Sequence, residues 1–162
     1  MKTLYLDMDG VVADFDAYAT AAAGAGNVVN DRWPADAWAK IVQNKRIYRD
    51  LPKTLDADRI VNYCKEWCAN KGFALIFLTA VPKDNDMPWA FYDKVVWVQR
   101  FFPGIPVHFG PFSHNKQVHC QPGDILIDDR LSNIEEWSAA GGIAIRHTGD
   151  TTATLARLKE LY

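Results

Sequence analysis

Short apolar runs and longer stretches of helical apolar spacing alternate along almost the whole chain. The runs at Thr3–Leu6, Phe73–Thr79, Ile105–Phe109, Ile125–Ile127 and Gly142–Arg146 predict strands. Helices are predicted at Val11–Ala23, Asp56–Asn70, Trp89–Phe102, Leu131–Ala140 and Thr151–Leu161, the first of them Ala-rich and ending near Gly24-Ala25-Gly26-Asn27. Asp56 is placed to cap its helix, and Lys71-Gly72 to stop it. Trp89, Trp97 and Phe101 recur at helical spacing and read as core. Continuous apolar strands such as Ala74-Leu75-Ile76-Phe77-Leu78 imply burial on both faces. With the alternation, they predict an α/β fold: a Rossmann-like parallel sheet with helices on both faces.

One region breaks the rhythm. From Asn27 to Leu55 the chain carries Trp33, Pro34, Trp38, Ile41, Ile47, Tyr48 and Pro52, a pattern for one or two short helices and not for a strand. Its position predicts a small helical cap inserted after the first strand, at about residues 16–55 of a single domain spanning 1–162. Such a cap would fold over the edge where open α/β sheets bind ligands.

Composition narrows the function. The chain has 162 residues, 49% of them hydrophobic, and a formal net charge of −2. One domain with a substantial core fits that length. The lack of a basic surplus argues against a nucleic-acid polymer as partner. No apolar stretch reaches membrane-spanning length, and Asp7 interrupts any leader-like start, so no membrane partner is expected. Three cysteines, two of them one helical turn apart, fit reduced thiols in a cytoplasmic protein better than disulfides or a zinc site.

The candidate chemistry lies at the strand ends. The first strand runs into Asp7 and Asp9, the second into Thr79-Ala80 and the fourth into Asp128-Asp129, and Lys116 comes after the third. In a parallel sheet these ends share one edge and converge. Asp7 and Asp9, two residues apart, would project together if the strand continued, and Gly10 would let the chain turn. Four carboxylates together need a cation, and oxygen ligands favour Mg²⁺, with Asp7, Asp9 and Asp129 as its shell. A phosphoryl group is then the natural substrate. Asp7 would attack phosphorus, Asp9 would act as acid and then base, and Thr79 and Lys116 would hold the transferring oxygens with the N–H groups of Met8 and Ala80. Asp128 would orient a water or a basic partner. Lys94 is a further candidate phosphate contact, although a lysine on a helix is commonly solvated. Arg130 is read as a partner of the acidic cluster, and His108, His114 and His119 as structural or exposed.

Asp-Met-Asp-Gly-Val at Asp7–Val11, Phe-Leu-Thr-Ala at Phe77–Ala80, Lys116 and Leu-Ile-Asp-Asp-Arg at Leu126–Arg130 stand in the order of the four motifs of the haloacid dehalogenase-like (HAD) phosphohydrolases, which the chain resembles. Asp7–Phe15, Tyr92–Val98 and Ile125–Arg130 are more closely similar to the 5′(3′)-deoxyribonucleotidases. The resemblance implies Mg²⁺, an aspartyl-phosphate intermediate and a nucleoside monophosphate substrate, with Phe15 and Trp33 lining the nucleoside pocket. The chain departs from that pattern at Ala80, where the family often has Ser, and in a longer Val81–Pro88 stretch. A HAD phosphatase for another small phosphate ester, such as a sugar phosphate, and a non-catalytic phosphate-binding relative are the competing readings. A homodimer is left open.

Overall fold

The computed structural model describes residues 1–24 and 32–162. Five strands, β1 (Thr3–Leu6), β2 (Ala74–Thr79), β3 (Val107–Phe109), β4 (Ile125–Asp128) and β5 (Ile143–Arg146), form one sheet in the order β3-β2-β1-β4-β5. Every pairing is parallel. The chain leaves β1 toward β2 and β3, then crosses back to β4 on the other side. The switch point therefore lies between β1 and β4, where a ligand crevice is expected.

Alternation along the strands sorts side chains onto two faces. Leu4, Leu6, Phe77, Ile125 and Ile127 join the larger core cluster. That cluster takes in Ile60, Val61 and Cys64 of α4 (Ala57–Lys71), Trp97 and Val98 of α5 (Ala90–Phe101), and Leu158 of α7 (Thr151–Lys159). Tyr5, Leu78 and Leu126 point the other way, onto Trp137 of α6 (Leu131–Ala139). The sheet is thus covered on both faces, as its apolar strands require.

Among the described residues, three further helices lie between β1 and α4: α1 (Phe15–Ala23), α2 (Ala35–Ile41) and α3 (Ile47–Asp50). Of the one or two short helices expected between Asn27 and Leu55, the described residues hold α2 and α3, and the expected end of the first helix lies partly outside the described residues. Helix α1 starts later than its Ala-rich pattern suggests. Residues 8–13 form a tight reversal in which the N–H groups of Val11, Val12 and Ala13 all donate to the Met8 carbonyl. Val11, Val12 and Ala13 are buried there, so core burial takes apolar residues that a helix would have used. Asp14 then caps α1, its carboxylate accepting from the Ala17 N–H at 3.2 Å.

Other expectations are adjusted as well. Asp56 precedes α4 without a side-chain cap, while Gly72 ends it in the left-handed conformation (φ 72°). Trp97 is core, but Trp89 at the head of α5 is 49% exposed, its ring covered in part by the Arg46 guanidinium. Cys64, Cys68 and Cys120 are free thiols. Among the described residues no helix is long and apolar enough to cross a membrane.

Candidate active site

Strand β1 ends at Leu6 and gives way to a loop pinned to the neighbouring strand: the Asp7 N–H donates to the Ile127 carbonyl at 2.9 Å. Because the strand stops, Asp7 and Asp9 do not project together. The Asp7 carboxylate turns into the β1–β4 crevice and is nearly fully buried. Asp9 turns toward α5 and keeps about a third of its side chain exposed (29%).

Lys116 organises the floor. It sits in a 3-10 turn (Ser113–His119) after β3, and its buried ammonium bonds Asp7 Oδ1 and Asp128 Oδ2, each at 2.7 Å. Burial opposes its charge, but the Asp128 and Asp7 carboxylates outweigh that and raise its pKa. Asp128 accepts three bonds: Oδ1 from the Arg130 N–H, and Oδ2 from both Lys116 and Asn133 Nδ2. Ser113 donates to Asn133 Oδ1 at 2.9 Å and accepts from Arg130 Nη1 at 3.0 Å, closing a ring of bonds around the motif aspartate.

Neither Ser113 nor Asn133 belongs to a motif visible in the sequence. Their only signal is a polar residue at a buried helical position four before Trp137 and a hydroxyl three before Lys116. The pairing itself comes from the 3-10 turn packing on α6.

Carboxylate oxygens of Asp7, Asp128 and Asp129 can all lie within 4.8 Å of one another. Burial, then the neighbouring aspartates, push the Asp7 and Asp129 carboxyls above their usual range, while Lys116 pulls the other way. Asp9, expected in the metal shell, is not one of this trio. Such an all-oxygen donor set fits a hard divalent cation. Gly10 makes the crowding possible, since a Cβ there would stand 2.2 Å from Asp129 Oδ2, and its φ of 82° also favours glycine.

The other expected residues fall into two groups. Thr79, Lys94 and Asp128 are buried behind the surface of the cleft. Lys94 is not solvated: its ammonium bonds Asp9 Oδ2 at 2.6 Å and Thr79 Oγ1 at 2.7 Å. Asp7, Asp9, Lys116, Asp129, Ala80, Phe15 and Trp33 all line a cleft of about 890 Å³, large enough for a nucleotide-sized ligand. The Met8 N–H, expected to face the transferring oxygens, donates to Asp7 Oδ1 at 2.8 Å instead. Arg130 lines the cleft beside the acidic cluster.

The wall opposite the carboxylates is aromatic. Phe15 stacks on Tyr48 (6.0 Å between centroids, 19° between planes) and lies 6.4 Å from Trp38. Trp38 donates to Asp86 Oδ2 at 3.0 Å, Lys45 to the Asp86 carbonyl at 2.9 Å, and Arg46 grips both oxygens of Asp93. These bonds tie the α2–α3 region to the segment before α5 and to α5 itself. The result is an aromatic wall facing an anionic floor with one buried lysine between its carboxylates.

No curated protein matches the chain. Residues 1–157 match the family described as 5′ nucleotidase, deoxy (pyrimidine), cytosolic type C (NT5C), whose activity is that of a phosphoric monoester hydrolase. The chain belongs to this HAD-like nucleotidase family.

Proposed function

We propose that this nucleotidase is Mg²⁺-dependent and removes phosphate from nucleoside monophosphates, deoxyribonucleotides in particular, through an aspartyl-phosphate on Asp7. The observation that carries the reading is the buried Lys116 ammonium bonded to both Asp7 and Asp128 at the floor of an aromatic-walled cleft. We read residues 1–162 as one domain with a cap at about 16–55, and the family's cytosolic description favours a cytoplasmic protein.

An Asp7 carboxylate oxygen attacks phosphorus, and the bond from phosphorus to the nucleoside oxygen breaks. Asp9 gives its proton to that leaving oxygen. Asp9 suits the task because it lines the cleft and keeps about a third of its side chain (29%) exposed. Water then attacks the aspartyl-phosphate, Asp9 takes a proton from it, and phosphate leaves with the Asp7 carboxylate restored. Lys116 holds Asp7 in line and offsets the charge of the transferring oxygens, joined by the Ala80 backbone, while the Thr79 hydroxyl, expected beside them, is held by Lys94 behind the cleft surface. Asp7 and Asp129, which line the cleft, are the ligands for the cation, and Asp128, held by three bonds behind the cleft surface, supports them. When bound, the cation supplies charge neutralisation between these carboxylates and the phosphate. Phe15 and Trp33 receive the nucleoside.

Turnover across all deoxy- and ribonucleoside monophosphates and a set of sugar phosphates tests the substrate class. Acid quenching during turnover tests the route. Wild-type enzyme should retain hydroxylamine-labile phosphate, and Asp7→Asn should retain none and lose activity by about a thousandfold or more while melting normally. Retention of about a tenth of the wild-type rate by Asp7→Asn would overturn the assignment.

A further inference from the structure

We infer that Lys94 is a positioning residue that sets the acid/base Asp9, braced by its bond to the Thr79 hydroxyl, and that it does not grip the substrate phosphate. The inference rests on the proposed role of Asp9 and goes beyond it.

Three observations converge on the Lys94 ammonium. It is enclosed, with only 1% of its side chain exposed, and it is not among the residues lining the cleft. Its donors are engaged: one N–H goes to Asp9 Oδ2 at 2.6 Å, one to Thr79 Oγ1 at 2.7 Å, and the Tyr48 ring lies 4.4 Å away. The backbone beneath it is also fixed. Asp93, its neighbour in the first turn of α5, is buried and held by both Arg46 nitrogens at 2.6 and 2.8 Å. Two of the three donors of that ammonium are committed to protein oxygens, and the Tyr48 ring lies beside it.

The atoms it occupies define its role instead. Taking Asp9 Oδ2 fixes the rotamer of the carboxylate and leaves Oδ1 as the oxygen without a partner. Donating to Thr79 Oγ1 fills an acceptor position on that oxygen, so the hydroxyl hydrogen points away from Lys94 and is free to serve as a donor. One lysine thereby orients the group that protonates the leaving oxygen and braces it against Thr79 behind the cleft surface.

A residue that works through a leaving-group acid betrays itself by leaving-group dependence. p-Nitrophenyl phosphate releases an oxygen that needs little protonation, whereas a nucleotide releases a poor leaving group. The experiment compares Lys94→Met and Lys94→Gln with wild type in the first-step rate on both substrates, in inhibition by inorganic phosphate and in melting temperature. The expected result is a loss of about a hundredfold on the nucleotide, in the range of general acid catalysis. The p-nitrophenyl phosphate burst should stay within about threefold and the phosphate inhibition constant within about twofold, and Lys94→Arg should recover part of the nucleotide rate.

Phosphate inhibition weakened tenfold or more, with both substrates slowed alike, would make Lys94 a phosphate ligand and overturn the inference. Equal loss on both substrates with unchanged phosphate inhibition would reduce it to a fold residue, as would no loss on either. A retained burst on p-nitrophenyl phosphate shows that the variant is folded. If Lys94→Met does not fold, the smaller change to Gln decides by the same ratio. Should the wild type prove inactive on nucleotides, glycerol phosphate takes the place of the poor-leaving-group substrate, so failure of the nucleotide reading stays separable from failure of this one.

Discussion

The floor and the wall of the cleft are built by opposite means. On the floor, Asp7, Lys116 and Asp128 are nearly fully buried and joined by bonds of 2.7 Å, the two aspartates anchored at strand ends whose register the sheet dictates. On the wall, Phe15, Trp33 and Trp38 are only partly buried, and no strand orients them. They are placed by ring contacts and by tethers to Asp86 and Asp93 from chain-distant residues. The contrast suits a division of labour. Chemistry on a phosphoryl group tolerates little misplacement of its charges, and a rigid sheet edge supplies that precision. Holding a base needs apolar area and stacking, which half-buried rings deliver without a unique geometry. Substitutions on the floor should therefore act on chemistry and metal, and substitutions on the wall on substrate affinity.

The sharpest way to break this comparison is to disturb the floor without removing a functional group. Gly10→Ala adds one methyl that would meet Asp129 Oδ2 at 2.2 Å and Cγ at 2.6 Å, at a backbone φ of 82°. The conformational cost of alanine there is about 1–2 kcal/mol, and the Asp129 carboxylate must shift besides. Activity at limiting Mg²⁺ should fall about a hundredfold, with the half-saturating Mg²⁺ concentration rising about ten- to a hundredfold, the size expected when a metal ligand's support is altered. A Mg²⁺ titration of both proteins decides. Unchanged half-saturation would mean that the floor is looser than its bonds imply, and that Asp129 is not a ligand.

A second test uses the floor's crowded charge. The Asp7 and Asp129 carboxyls are raised above the values they have in an unfolded chain, so the metal-free folded state binds more protons than the unfolded one. That contribution to stability is complete below the unfolded carboxyl range, near pH 4, and is lost as the pH rises through the raised values. In EDTA the melting temperature should therefore drop by several degrees between pH 5 and pH 8. Mg²⁺ should restore more of it at pH 8 than at pH 5, and Asp129→Asn should flatten the EDTA profile. A slope in EDTA that Asp129→Asn leaves intact would place its origin elsewhere in the molecule.

The same difference governs how much of each region is legible in the sequence. Strands buried on both faces are continuous apolar runs, so their cores are visible, and the carboxylates that end β1 and β4 are visible with them. The reversal at residues 8–13 is not, because Val11 to Ala13 fit a helix as well as they fit the core that claims them. Lys94 is legible as a residue but not as a buried one: helical position does not say that Asp9 and Thr79, from two other elements, will surround it. Ser113 and Asn133 are hidden for the same reason. Trp89 goes the other way, its aromatic character suggesting core while Arg46 covers it at the surface.

The smallest expected effect is on the wall, and it is the one that tests substrate choice. Trp33 is half-buried, lines the cleft and packs against the core cluster. If the nucleoside lies against this ring, Trp33→Ala removes stacking worth about 1–3 kcal/mol per base when the contact is complete. A partly exposed ring should sit at the low end, which converts to a rise in KM for nucleotides of about five- to tenfold. The rate at saturation should hold within about twofold, because the Asp7–Lys116 pair is held by bonds within the floor. p-Nitrophenyl phosphate carries no nucleoside, so its kcat/KM should stay within about twofold as well. The informative quantity is the ratio of kcat/KM for the two substrates in wild type and variant. An equal fall on both would show that Trp33 supports the floor through the fold, and the division between wall and floor would then fail at this residue. If neither changes, the nucleoside lies elsewhere along the wall. Trp38, held at its indole nitrogen by Asp86, is then the next ring to remove.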